Sequence, residues 1–106
     1  MSILTKDIIL TKLKGMQPIF KKEGVNLLGL FGSYSRDEAR EDSDIDILIE
    51  TTPEFSKMNR GFSAYSKLNE LKTLLQDTFE REVDIVDKQG LLDHNNTYIL
   101  NRAIYV

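Results

Sequence analysis

Apolar residues near the start of the chain recur at three- and four-residue intervals: Ile9, Leu10, Leu13, Met16, Ile19 and Phe20. That is one face of a helix, and the spacing predicts a helix over about residues 3 to 23. Gly15 and Pro18 predict a kink or a break within it, and Gly24 predicts its stop. The period then changes. Val25–Phe31 is a short, mostly apolar run bounded by glycines, and Ile45–Ile49 is a second one rich in β-branched residues; both read as buried strands. Phe62, Tyr65, Leu68, Leu71, Leu75 and Phe79 restore the helical stripe, and Glu82–Val86 alternates like a third strand. A short helix fits residues 34 to 40, and a last helix runs from near Asp93 to about Ala103. The order is helix, strand, short helix, strand, helix, strand, helix, which implies one sheet with helices packed on it. No repeat, low-complexity tract or Pro/Ser-rich linker interrupts the pattern, so residues 1–106 read as a single domain.

Composition removes several classes of function. An apolar fraction of 41% and a charged fraction of 29% are ordinary for a globular chain. No stretch approaches the roughly 20 apolar residues that span a bilayer, and no basic segment followed by an apolar core opens the chain, so a cytoplasmic protein is expected. The absence of cysteine excludes disulfides, zinc–thiolate sites and thiol nucleophiles. A formal charge of -3 gives no extended basic surface for DNA or RNA.

Candidate chemistry lies in "GLFGSYSRDEAREDSDIDILIE", Gly29 to Glu50. Gly32 and Ser33 fall where the first strand ends. The glycine lets a backbone N–H approach a ligand closely, the serine adds a hydroxyl, and a helix starting there would point its first N–H groups the same way. Together they suit a phosphate. After ten intervening residues come Asp44 and Asp46, which flank Ile45 and share one face of the second strand. Adjacent carboxylates repel each other unless a cation sits between them, and Mg²⁺ is bound through one or two carboxylates together with substrate phosphates. Asp84, between Val83 and Ile85, could add a third carboxylate and complete a two-metal site. Asp-x-Asp alone is common in solvated turns. Preceded ten residues earlier by Gly-Ser, it should arise by chance in roughly one such chain in a thousand.

This stretch resembles the signature of the DNA polymerase beta-like nucleotidyltransferases. The chain as a whole resembles their smallest branch, the minimal nucleotidyltransferases paired with HEPN-domain proteins in toxin–antitoxin systems. The likeness takes in "KGMQPIFKKEGV", the Gly-Ser and Asp-x-Asp positions, "VDIV" and the ending "ILNRAIYV". It implies an α+β nucleotidyltransferase fold with a small mixed sheet of at least three strands. It also implies nucleotide-phosphate contacts at Gly32 and Ser33, Mg²⁺ ligation by Asp44, Asp46 and Asp84, and activation of the acceptor hydroxyl by Asp84. The implied reaction is transfer of AMP from ATP to a tyrosine of a HEPN RNase toxin, with release of pyrophosphate and formation of a complex with the toxin. Two alternatives stay open: an antitoxin that only occludes its partner, and transfer to a small molecule or an RNA end.

One position departs from the pattern. Relatives commonly read "SYARG" where this chain has Ser33-Tyr34-Ser35-Arg36-Asp37, so an acidic residue replaces a glycine. Asp37 is expected in the first turn of the short helix, where the helix dipole favours a carboxylate. Arg36 is a candidate phosphate contact, with Asp37 or Glu41 as the ion-pair alternatives. His94, the single histidine, reads as a loop or helix-capping residue, and Asp87 as a turn residue. Tyr34, Tyr65, Tyr98 and Tyr105 read as core or interface tips. Thr51 to Phe62 reads as a loop whose apolar residues either meet a partner or fold back on the sheet.

Overall fold

The computed structural model describes residues 4–106. Helix α1 spans Lys6–Lys22 and buries Ile9, Leu13, Met16 and Phe20, four members of the predicted stripe. Its expected start at residue 3 lies outside the described residues. Thr5 caps it, the hydroxyl accepting the Ile8 N–H at 3.3 Å. The helix runs without a break through Pro18. Gly15 and Pro18 face solvent, where water can take up the carbonyl that proline leaves without a donor, while Leu13, Met16 and Phe20 hold both halves to the sheet. Gly24 ends the helix at φ 78°, its N–H donating to Lys21 O at 3.0 Å.

Strand β1 (Val25–Phe31) pairs antiparallel with β2 (Ile45–Thr51), which pairs parallel with β3 (Val83–Asp87). A fourth strand, β4 (Ile104–Tyr105), pairs antiparallel with the other edge of β1, giving a mixed sheet of order β3-β2-β1-β4. Alternation decides its two faces. Ile45, Ile47, Ile49 and Val83 are buried in one core with the α1 stripe and with Leu71, Leu75 and Phe79 of helix α3 (Phe62–Phe79). Asp46 and Leu48 point to the other face. Burying these apolar side chains, about 1.5–3 kcal/mol each before chain entropy is counted, is what pins the register of the sheet.

The connections depart further from expectation. The short helix predicted over residues 34–40 is a single 3₁₀ turn, Ser33–Arg36, followed by an irregular segment. The segment Thr51 to Phe62 contains helix α2 (Pro53–Met58), capped by Thr52, and it divides the two readings offered for it: Phe55 folds back into the core, whereas Met58 and Phe62 face outwards. The last helix, expected from near Asp93 to about Ala103, is the shorter α5 (Thr97–Arg102), and an unpredicted helix, α4 (Lys88–Asp93), precedes it; Asn95, in the left-handed conformation at φ 54°, separates the two. His94 is the C-cap of α4, as read. Asp87 is both the last residue of β3 and the N-cap of α4, accepting from Gln89 N–H and from the Thr51 hydroxyl, each at 3.1 Å. None of the helices among the described residues is long and apolar enough to cross a membrane.

Candidate active site

Register brings the predicted residues to one mouth of the sheet. Phe31, the last residue of β1, lies opposite Asp46 of β2, and Asp46 lies opposite Asp84 of β3. Asp44 precedes β2 by one residue and falls on the same side as Asp46. Gly32 follows Phe31 and closes the group from the other side. Its backbone, at φ 76° and ψ -157°, lies in a region that is essentially glycine's own, and a Cβ there would overlap the Asp46 carboxylate. Gly32 is therefore required twice, once by the turn and once by the close approach of Asp46.

The 3₁₀ turn begins at Ser33. The Ser35 hydroxyl donates to Gly32 O at 2.6 Å and the Ser35 N–H to the same oxygen at 3.1 Å, which fixes the corner. The opening N–H groups of such a turn have no partner within it. The Ser33 hydroxyl makes no hydrogen bond among the described residues, so the corner presents donors beside Asp46.

Asp37 does not stand in a first helical turn. It ends the 3₁₀ turn in the left-handed conformation at φ 57° and pairs with Lys6 at 3.2 Å. Glycine is the residue such a position favours, and aspartate is among the few others that tolerate it, which accounts for this chain's departure from "SYARG". Arg36 pairs with Glu38 at 3.2 Å, not with Asp37 or Glu41. The nearest acid on the exposed side of the turn takes the guanidinium, yet its charge still reaches Asp46.

Asp44 and Asp84 are exposed and Asp46 is half-buried. Burial pushes the Asp46 carboxyl above the usual aspartate range, first by loss of water and then by repulsion from Asp84 and Asp44, with Arg36 pulling the other way. Among the described residues no three acidic or histidine side chains close into a metal cage. The set is an open one: oxygen donors on one side, backbone and hydroxyl donors on the other. Mg²⁺ is ordinarily bound in such open sites, keeping water and taking substrate phosphates as ligands, so this donor set fits a hard divalent cation that arrives with a nucleotide.

A sequence model of the nucleotidyltransferase domain matches residues 11–106. The chain belongs to that family. It is a nucleotidyltransferase, an enzyme with the α+β fold that its sequence implied. Protein adenylyltransferase MntA of Thermococcus cleftensis is 33% identical over 104 residues, 93% of this chain and 97% of that protein. A Methanocaldococcus jannaschii protein provisionally named a protein adenylyltransferase is 37% identical over 89 residues, 84% of this chain and 87% of its own. A solved structure provisionally described as a minimal nucleotidyltransferase superposes with a TM-score of 0.73 at 26% identity, covering 100% of both chains.

This nucleotidyltransferase has one further feature that the sequence did not single out. Beside Asp84, between α3 and the edge strand β3, lies a cleft of about 250 Å³ whose lining includes Tyr65, Asn69 and Lys72. Asn69 and Lys72 are polar residues on the exposed side of an amphipathic helix and read as an ordinary solvated face. Their spacing of three was the available signal, since it places them on one stripe with Tyr65.

Proposed function

We propose that the chain is a protein adenylyltransferase antitoxin that transfers AMP from ATP to a tyrosine of a cognate HEPN RNase toxin. The observation that carries the nucleotidyl transfer is the position of Asp46, in contact with Gly32 on one side and in register with Asp84 on the other. The protein acceptor is supported by the relatives named as protein adenylyltransferases. The HEPN partner and the tyrosine rest on the resemblance of the sequence to the minimal nucleotidyltransferases, whose partners are HEPN toxins.

Each residue has a stated task in this reading. The Gly32 corner and the Ser33 hydroxyl hold the β- and γ-phosphates and keep the pyrophosphate leaving group in line. Asp44, Asp46 and Asp84 would hold Mg²⁺, which would neutralise the triphosphate and lower the pKa of the attacking hydroxyl. Asp84 accepts the phenol proton. The tyrosine oxygen forms its bond to the α-phosphorus as the bond from that phosphorus to the β-bridging oxygen breaks, and pyrophosphate departs with the electron pair. Arg36, tied to Glu38 at 3.2 Å, becomes a phosphate contact by exchanging an exposed carboxylate for the triphosphate.

Calorimetric titration with ATP, with and without Mg²⁺, tests the site. The wild type is expected to bind only with Mg²⁺, and the Asp44→Asn/Asp46→Asn variant, shown to be folded by circular dichroism, is expected not to bind. Intact mass of a cognate HEPN-domain protein, after incubation with ATP and Mg²⁺, should rise by whole AMP units on tyrosine. Neutralisation that survives the double substitution would replace catalysis with occlusion.

A further inference from the structure

We infer that Ser35 is a positioning residue of the nucleotidyl-transfer site: its hydroxyl holds the Gly32–Ser33 peptide in the orientation that offers a donor, and not an acceptor, to an incoming triphosphate. Ser35 has this role on the reading above, in which the Gly32 corner receives the phosphates.

Two donors of one residue converge on the Gly32 carbonyl. The Ser35 Oγ lies 2.6 Å from that oxygen and the Ser35 N 3.1 Å. The first distance is at the short end of the range for a hydroxyl donor, and the two bonds together occupy both lone pairs of the oxygen. A trans peptide is planar with its C=O and N–H opposed, so a carbonyl held inside the turn sends the Ser33 N–H out of it. That N–H has no backbone acceptor among the described residues. It leaves the turn next to the residue that lies against the Asp46 carboxylate, with Asp84 in register beyond.

Gly32 is the reason the peptide needs holding. A half-turn of the Gly32–Ser33 peptide changes chiefly Gly32 ψ and Ser33 φ, and glycine, without a Cβ, resists such a change least of all residues. A more restrained residue cannot take its place, because a Cβ there would overlap Asp46. The freedom that admits Gly32 to the side of Asp46 is thus the freedom that lets its carbonyl swing out, and the restraint has to come from elsewhere. In the swung-out form a partly negative oxygen would stand where the N–H stood, beside Asp46, and would repel a phosphate. The Ser35 N–H opposes this as in any tight turn. The hydroxyl adds a second bond to the same oxygen, and it is the side-chain contribution that substitution can remove.

The test compares the full chain with Ser35→Ala and with Ser35→Thr, which keeps the hydroxyl. Calorimetry with ATP and Mg²⁺ reads affinity, and amide hydrogen exchange followed by NMR without nucleotide reads the corner itself. Ser35→Ala is expected to weaken ATP binding by about 3- to 10-fold and to speed exchange of the Ser35 N–H, whose acceptor swings away, by a similar factor. Saturating ATP selects the competent form again, so with a cognate HEPN-domain protein as acceptor the KM for ATP should rise while kcat stays within about twofold. Ser35→Thr should remain near wild type in each measurement. A merely structural loss would lower the thermal midpoint without this split between KM and kcat, and would overturn the inference. Wild-type affinity and exchange in Ser35→Ala would overturn it too. So would weakened binding with unchanged exchange, which would make the hydroxyl a direct phosphate contact, and so would a Ser35→Thr variant as impaired as Ser35→Ala. A wild type that binds no ATP would sink the phosphate reading and this inference with it, even where exchange shows that the hydroxyl holds the corner.

Discussion

On the β1 side of Asp46 the chain closes to contact: Gly32 touches the carboxylate, Ser35 locks the corner with two hydrogen bonds to one oxygen, and the side chain of Tyr34 is buried. On the β3 side the chain stands open, with Asp84 exposed and a cleft beside it whose lining includes Tyr65. In the proposed function the closed side takes the triphosphate, which is the same in every turnover, so its site can be preformed and rigid. The open side suits a substrate that supplies its own surface. Rigidity on one flank and exposure on the other thus match the two reactants of a group transfer.

The largest expected effect comes from breaking the closed side. Gly32→Ala adds a methyl group where the Asp46 carboxylate already lies, at a φ of 76° that alanine resists. Either Asp46 or the corner must move, and a displacement of about 1 Å at such a site costs on the order of 100-fold in turnover. Initial rates of AMP incorporation should show that loss, whereas thermal unfolding should show a destabilisation of about 1–3 kcal/mol. Wild-type rates in this variant would mean that the close approach of Gly32 to Asp46 has no functional role.

Next in size is the effect of Asp46 itself, which should separate stability from activity. Its raised pKa means that the folded chain holds the proton more tightly than the unfolded one. The associated stability is fully present below the unfolded aspartate value and is lost as pH rises through the raised folded value. Without divalent cations, the wild type should therefore lose stability across that acidic window, against a background set by the other carboxylates. Asp46→Asn should remove this share of the loss and stabilise the metal-free protein at pH 7 by about 0.5 kcal/mol, a small figure because the group is half-exposed. In the same variant, adenylyl transfer should fall to background. A variant less stable than wild type at pH 7 without metal would show that a half-buried Asp46 carboxylate beside two others is not a cost the fold tolerates for function.

The closed side was legible in the sequence and most of the open side was not, for physical reasons. Gly32, Ser33, Asp44, Asp46 and Asp84 sit at the ends of apolar runs whose alternation fixes which way each side chain points. Parallel pairing of β2 with β3 then sets Asp46 opposite Asp84. That information is local. The cleft depends on how α3 lies against β3, which no local pattern carries, and Asn69 and Lys72 look like any solvated helix face. The same limit hid β4: a strand of 2 residues shows no alternation, and Ile104–Tyr105 is extended because β1 offers it an edge. Helix α4 went unread because its 6 residues, Lys88–Asp93, are too few to show an apolar stripe and include Gly90, which reads as a break.

The smallest expected effect lies at Asp37, where the closed side departs from the family pattern. Asp37→Gly removes a side chain from a left-handed residue at φ 57°, a gain set against the greater freedom of glycine in the unfolded chain and the loss of an exposed ion pair to Lys6. Left-handed strain for a residue that tolerates the conformation is of order 1 kcal/mol, and an exposed pair is worth about 0.2–1 kcal/mol, so a net stabilisation of roughly 0.5 kcal/mol is expected. Salt distinguishes the two contributions. Screening weakens the pair and leaves the backbone strain untouched, so the advantage of Asp37→Gly should widen as NaCl is raised in chemical denaturation. ATP affinity should change by less than about twofold, because Lys6 already offsets the Asp37 charge that would otherwise face an incoming triphosphate. A several-fold gain in ATP affinity on Asp37→Gly would instead mean that Asp37 opposes the nucleotide directly, and that the closed side of this chain is tuned for weak binding.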